Sequence, residues 1–251
     1  MARLTQLTTL ITGGNSGIGY ATAKKFKEEG AVVIITGRNA HAVAQAAEEL
    51  DAVGLISDQA DLSSLDGLVA ALNVAESKLD AIFLNAGIAT FAPFEQMTEA
   101  HYDEIMNVNV KGVLFTLQKL LPLLNNGGSI IFNTSVNATL GMPNSGVYAA
   151  SKAALIALSR VLATELAPRQ IRVNCISPGP VETPVYEKLG MDSEQIAGFS
   201  KLLSEKILLK RFAQAEEIAQ LAVFLAGKES SFITGTEIVV DGGITVNAVL
   251  N

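Results

Sequence analysis

Apolar runs of strand length alternate with segments of helical period along the whole chain. Leu7–Ile11, Val32–Thr36, Val53–Ser57, Ala81–Leu84, Ser129–Thr134, Arg172–Ser177 and Glu237–Val240 are the predicted strands. Several are apolar throughout rather than alternating, as strands covered on both faces of a parallel sheet are. Helical patterns fill the intervals at Gly17–Glu29, Ala40–Leu50, Leu65–Lys78, Thr98–Leu121, Val147–Ala167 and Ala215–Leu225. Repeated β-α units with right-handed crossovers give an α/β fold, a doubly wound sheet of about seven parallel strands flanked by helices. No repeat, low-complexity tract or linker divides the chain, so residues 1–251 read as one domain.

The least regular region is Pro178–Arg211, which opens on Pro-Gly-Pro and continues into an amphipathic piece around Ser193–Leu203. It follows the carboxyl end of a strand, the side on which open α/β sheets bind ligands. A loop of that length in a compact domain reads as a substrate lid, residues 178–211.

Composition narrows the partners. Hydrophobic residues make up 49% and charged ones 17%, enough for a substantial core, and 18 basic against 25 acidic residues leave a formal charge of −7. No Lys/Arg run or basic stripe interrupts that balance, which argues against nucleic acid and against an anionic membrane. The charge-free stretch from Leu120 to Ser151 is broken by Asn125, Asn126, Gly127, Gly128, Asn133, Asn137 and Pro143, so it is no membrane helix; it suits a dry active site. Cys175, the sole cysteine, lies in an apolar run and reads as core, and with no disulfide and no secretion signal over Met1–Gln6 the expected compartment is the cytoplasm. His41 and His101 are far apart and no Cys/His ligand spacing exists, so no metal is expected.

Two places carry chemistry. Thr12-Gly-Gly-Asn-Ser-Gly-Ile-Gly19 lies between the first strand and the first helix, where Gly13, Gly17 and Gly19 let backbone approach a pyrophosphate at the helix N-terminus. After the second strand stands Thr36-Gly37-Arg38-Asn39, without the acid that usually holds an NAD ribose. Arg38 can pair instead with a 2′-phosphate, which makes NADP(H) the expected cofactor over NAD(H).

Tyr148-Ala-Ala-Ser-Lys152 is the second place, thirteen residues after Ser135. Four apart on a helix, the two side chains share a face, about 5–6 Å apart at Cβ. A cation fixed beside a phenol lowers its pKa from near 10 and makes it a usable general acid. Tyr20-Ala-Thr-Ala-Lys24 has the same spacing but no serine in an apolar strand before it, and Lys24 reads as solvated.

Together these residues resemble the short-chain dehydrogenase/reductase family, in its short single-domain branch, from about Leu7 to Gly243. Its pattern is also met by Asp61-Leu62, by Asn85-Ala86-Gly87 (with Leu84 where a second asparagine is usual), by Asn107-Val-Asn109-Val-Lys-Gly112 and by Pro178-Gly-Pro-Val-Glu-Thr183. The resemblance implies a Rossmann fold and a catalytic tetrad of Asn109, Ser135, Tyr148 and Lys152. Ser135 would polarise a carbonyl, Tyr148 would protonate the alkoxide, Lys152 would hold the nicotinamide ribose and lower the tyrosine's pKa, and Asn109 would anchor a relay water.

The cofactor set it implies is Gly13, Asn15, Ser16, Gly17, Ile18 and Gly19 at the turn; Arg38, Asn39, Asp61 and Leu62 at the adenosine; Asn85, Ala86 and Gly87 after the fourth strand; Tyr148 and Lys152; and Pro178, Gly179, Val181 and Thr183 at the nicotinamide. Val136, Asn137, Met142, Val185, Tyr186 and Leu189 are the expected substrate pocket, mostly apolar, which favours an NADP(H)-dependent carbonyl reductase or secondary alcohol dehydrogenase acting on a hydrophobic ketone. A 3-oxoacyl-(acyl carrier protein) reductase is the rival, but Leu121–Gly128 carries no cation to meet an acidic carrier. Sugar oxidation like that of glucose dehydrogenase also fits the pattern, as does, in a different class, a catalytically silent NADP-binding sensor. The family further implies a homotetramer packed through the Thr98–Leu121 and Val147–Ala167 helices.

Overall fold

A computed structural model describes residues 2–75, 77–183 and 193–247. Its strands β1 (Thr8–Thr12), β2 (Val32–Gly37), β3 (Val53–Ile56), β4 (Leu79–Leu84), β5 (Leu124–Asn133), β6 (Arg172–Pro178) and β9 (Glu237–Val240) form one parallel sheet in the order β3-β2-β1-β4-β5-β6-β9. The two-residue strands β7 (Val181–Glu182) and β8 (Ala213–Gln214) pair with each other outside this sheet. The order reverses between β1 and β4, and there the carboxyl ends of the strands diverge and leave a crevice.

Strand residues alternate between two apolar layers, as the pleat requires. Ala81 and Phe83 of β4, with Ile11 and Ile131, pack under α1 (Gly17–Glu28), α2 (Ala40–Leu50) and α8 (Ala215–Ala226). Ile82 and Leu84, with Leu10, Ile130 and Phe132, pack under α3 (Ser64–Val74), α5 (Val113–Leu120) and α6 (Gly146–Glu165). A central strand of this kind shows no alternation in its sequence because both faces are covered.

Two expected helices end differently. The pattern over Leu65–Lys78 stops as α3 at Val74, where the Ser77 N–H returns to Leu72 O (3.0 Å) and turns the chain out. The continuous helix expected over Thr98–Leu121 is broken: α4 (Glu99–Met106) passes through a π-helical stretch, Asn107–Gly112, before α5 begins. The wide turn carries Asn109 inward to 1% exposure. It also seats Gly112 on the backbone of Gln59, so closely that a Cβ there would stand 2.1 Å from Gln59 O. A π-bulge costs helical hydrogen bonding and marks a position that the fold needs for something else. Within residues 178–211, α7 spans Ser193–Lys206.

Candidate active site

The glycine turn is shaped by contact rather than by composition. Gly13 and Gly17 have φ of 64° and 55°, the left-handed region that favours glycine. Gly19 is required for space: a Cβ on it would lie 2.2 Å from Gly13 O. Ser16 precedes α1 without capping it, and the Gly17, Ile18 and Gly19 amides find no partner among the described residues. An uncapped twelve-residue helix whose first amides open on bare glycine fits the pyrophosphate of a dinucleotide. Across the turn Thr183 closes in, 3.4 Å from where a Gly17 Cβ would be.

The adenosine end lies at the tips of β2 and β3. Asn15 Oδ1 sits over Gly37, 2.5 Å from a would-be Cβ, which joins the turn to Arg38. Arg38 is exposed and has no ion-pair or hydrogen-bond partner among the described residues. Asn39 caps α2, accepting from Ala42 N (3.0 Å), and Asp61 accepts from Ser63 N and Oγ (2.9 and 2.7 Å), which holds its carboxyl below the usual range. Both side chains therefore have structural work beside the cofactor role expected of them, and Leu62 is half-buried next to Asp61.

Ser135, Tyr148 and Lys152 converge where β5 ends. Ser135 Oγ accepts the Asn137 N–H (3.2 Å) in a short turn, which leaves its own proton to donate, and its hydroxyl pulls the Tyr148 phenol down. Phe91 meets the Tyr148 ring edge-on at 5.7 Å and 79°. The Lys152 Nζ donates to Asn133 O (2.9 Å) and lies 5.8 Å from the centre of the Tyr148 ring. Burial pushes the lysine down to about 8. The expected cation-lowered tyrosine is corrected here: burial pushes the Tyr148 phenol up, and the opposing pull comes from Ser135, not from Lys152.

Asn109 holds a loop. Its Oδ1 accepts from Ile88 N (2.8 Å), and its Nδ2 donates to Ile88 O (2.9 Å) and Ser151 Oγ (3.1 Å). A methyl on Gly87 would stand 3.1 Å from Asn109 Oδ1 and 3.6 Å from Lys152 Nζ, so both groups face the space over Gly87. The Asn85 amide joins this end to the glycine turn, donating to Thr12 O (3.0 Å), and Thr12 Oγ1 accepts from Asn85 N and Ala86 N.

A cavity of about 330 Å³ gathers about half of the expected residues. Ile18, Asn85, Gly87, Ser135, Tyr148, Lys152, Pro178, Gly179, Val181 and Thr183 line it, as do Val136, Asn137 and Met142. Arg38, Asn39, Asp61 and Leu62 lie away from it, past the ends of β2 and β3; Val185, Tyr186 and Leu189 lie outside the described residues. Sequence reasoning missed Phe91, Leu140, Leu203 and Ile244 on the apolar wall, and Ile88, Asn133 and Ser151 around the lysine. Asn133 was legible as a polar residue inside an apolar strand. Ile244 had no signal, since it comes into place only through the turn after β9, where Asp241 accepts from Gly243 N and Thr245 N.

Away from the cavity, Tyr20 donates to Glu49 (2.9 Å) and Lys24 is exposed, so the matching pair is not a site. Arg3, Gln45 and Arg211 hold Glu29, Glu49 and Glu217, and Glu217 completes a capping box at α8. Cys175 is buried and its thiol is pushed up to about 11. No group of three or more metal-ligating residues occurs among the described residues. The 20-residue α6 is long and apolar enough to cross a membrane, but its burial here is that of a helix packed on a sheet.

Known proteins share this arrangement. The family model described as Enoyl-(Acyl carrier protein) reductase matches residues 13–245. Oxidoreductase asL5 of Sarocladium schorii is 39% identical over 247 residues, covering 96% of this chain and 97% of its own. The 3-oxoacyl-(acyl-carrier-protein) reductase FabG of Thermotoga maritima is 38% identical over 251 residues, covering 97% and 100%. Among solved structures, a short chain dehydrogenase/reductase family protein superposes with a TM-score of 0.85 at 36% identity, over 96% of this chain and 97% of that one.

Proposed function

The chain belongs to the short-chain dehydrogenase/reductase family, and from that premise we propose that it is an NADP(H)-dependent carbonyl reductase of apolar ketones, running as a secondary alcohol dehydrogenase in reverse. The observation that carries the reading is the cavity itself, lined by Ser135, Tyr148 and Lys152 together with the apolar Phe91, Val136, Leu140, Met142 and Leu203. A wall of that kind rewards an uncharged, compact ketone and penalises a charged one.

When bound, a reduced nicotinamide supplies the hydride. The side chains do the rest. Ser135, its Oγ already accepting from Asn137 N, donates to the substrate oxygen as negative charge grows there. Tyr148 gives its proton to the same oxygen, and a phenol raised by burial is fully protonated and ready to donate at neutral pH. Lys152 is the proposed anchor for the nicotinamide ribose and the next proton source, since a group titrating at about 8 exchanges protons readily near neutral pH. Asn109 is the proposed positioning residue: it fixes Ile88 and leaves Oδ1 facing the space over Gly87, where a relay water would sit.

NADP(H) is favoured by Arg38, a cation with no neighbouring acid in Thr36–Asn39. Against an acyl-carrier-protein substrate stands the net charge of −7. Arg169 does reach the Leu121–Gly128 stretch, but its guanidinium is taken up by Leu121 O, Leu124 O and Asn126. The proposal includes residues 178–211 as the lid, a cytoplasmic location, and a homotetramer that would cover the exposed side of α4 and α6, where Tyr102 and Val161 are 48% and 53% exposed. A monomeric mass in solution would remove the tetramer.

The test is oxidation of NADPH and NADH, followed near 340 nm, with ketones, diketones, sugars and an acyl thioester, each beside Tyr148→Phe. The reading expects NADPH to be preferred, a cyclic or aryl ketone to be the best substrate, and a loss of about 10²-fold or more in the variant. Arg38→Asp should move selectivity toward NADH. NADPH binding without turnover of anything in the panel would replace the reductase by a cofactor sensor.

A further inference from the structure

At the substrate end of the cavity one side chain does not match its apolar neighbours. Asn137 is 8% exposed and lines the cavity between Val136, Leu140 and Met142. Its backbone N–H is committed to Ser135 Oγ (3.2 Å), which fixes the residue directly beside the proposed catalytic serine. Its Nδ2 faces the Met142 sulfur at 3.6 Å. A thioether accepts weakly and donates nothing, so the amide N–H, not the carbonyl, belongs on that side.

That orientation turns Oδ1 the other way. The oxygen has no partner among the described residues, yet it is not among the atoms sealed from solvent. Asn137 keeps only 8% exposure and lines the cavity, so an unpartnered Oδ1 that is not sealed has the cavity to open on. A docked substrate would strip water from this acceptor. Left unmatched, a buried acceptor costs far more than a typical hydrogen bond contributes, so it selects for a ligand that brings a donor.

We propose that Asn137 is a specificity-determining residue that accepts a hydrogen bond from the substrate, and that the preferred substrate is therefore a hydroxyketone with an otherwise apolar frame. The hydroxyl belongs on the carbon next to the carbonyl or one further, since Asn137 stands two residues from Ser135 in one short turn. Reduction adds hydride to the carbonyl carbon and a proton to its oxygen, leaving the second hydroxyl unchanged, and yields a diol. This inference rests on the ketone-reductase reading above.

Three matched substrates test it: cyclohexanone, 2-hydroxycyclohexanone and 2-methoxycyclohexanone, the last able to accept a hydrogen bond but not to donate one. In the wild type, kcat/KM for the hydroxyketone should exceed that of the other two by about ten-fold or more. Asn137→Leu should erase that preference, bringing kcat/KM for the hydroxyketone down to that of the methoxyketone, while NADPH affinity, read by fluorescence titration, is unchanged. If the leucine variant does not fold, Asn137→Ser should reduce the preference in the same direction. Equal rates on the hydroxy and methoxy ketones in the wild type would overturn the inference. So would a leucine variant that loses all three substrates alike, because Asn137 would then be supporting Ser135 rather than reading the substrate. Turnover of none of the three by the wild type would instead bring down the ketone reading itself.

Discussion

Lys152→Met should make the cofactor-free protein more stable at pH 7 while abolishing turnover. The Lys152 ammonium is 5% exposed, donates to Asn133 O, and titrates at about 8 instead of 10.5 because burial disfavours its charge. At about 1.36 kcal/mol per pH unit, that difference corresponds to roughly 3–4 kcal/mol of penalty on the charged side chain in its folded surroundings. At pH 7 the folded and unfolded chains both carry the proton, so the whole penalty weighs on the fold. Between about 8 and 10.5 the folded chain releases its proton while the unfolded chain keeps it, and stability rises by up to about 1.4 kcal/mol per pH unit.

Methionine keeps most of the volume and removes the charge. It forfeits the bond to Asn133 O, about 1–2 kcal/mol, so the net gain at pH 7 is about 2 kcal/mol. The assay is urea unfolding followed by far-UV circular dichroism at pH 7, 8, 9 and 10, without cofactor and at one protein concentration. The advantage of the methionine variant should shrink above pH 8 and vanish or reverse by pH 10. Tyr148 works the opposite way: its raised pKa keeps the folded phenol protonated above pH 10, where the unfolded one ionises, so stability falls there. The wild type and the variant share that effect, and it cancels in the difference. A stability difference that stays constant from pH 7 to 10 would refute the depressed lysine and with it the proton-source role.

Three further outcomes follow from contacts. Gly19→Ala puts a Cβ 2.2 Å from Gly13 O and 2.5 Å from Asn85 Nδ2, so NADPH binding measured by fluorescence should fall by at least about ten-fold, with a drop in Tm of several degrees. Asn109→Leu strips Ile88 N and O and Ser151 Oγ of a partner, and should cost about 1–3 kcal/mol in chemical unfolding and lower kcat more than it raises KM. Cys175, 0% exposed with a thiol at about 11, should resist a thiol reagent in the native state, and quick labelling without loss of structure would contradict its burial.

The parallel sheet was legible because the strands that carry Phe83 and Ile131 bury both faces and so read as unbroken apolar runs. The break at Asn107–Gly112 was not, because its cause lies elsewhere in the chain. Nothing in the residues around Asn109 says that Ile88 waits with an unmet N–H and C=O, or that Gln59 leaves no room for a Cβ on Gly112. Helical periodicity reports what one segment prefers, and the π turn is what the neighbouring loops impose. The apolar wall was half legible for the same reason: Val136, Asn137 and Met142 are near Ser135 in sequence, whereas Phe91, Leu203 and Ile244 reach the cavity from three other loops or helices.

The two tyrosine–lysine pairs show where spacing stops carrying information. Tyr20 and Lys24 share the four-residue interval of Tyr148 and Lys152, yet Tyr20 donates to Glu49 on a helix surface and Lys24 lies in water. Around the second pair, the sheet supplies what a helix alone lacks. The end of β5 offers Asn133 O to the lysine and places Ser135 beside the phenol, and the surrounding walls bury the lysine and partly bury the tyrosine. Burial then favours the neutral form of each group, raising the phenol and bringing the ammonium down to about 8. The phenol is thereby kept as an acid until a growing alkoxide calls for its proton, and the lysine is left able to replace it. The reactivity of the pair is thus a property of the strand end it faces. A transplant that kept the four-residue spacing but left the lysine in solvent would reproduce Tyr20 and Lys24, and nothing more.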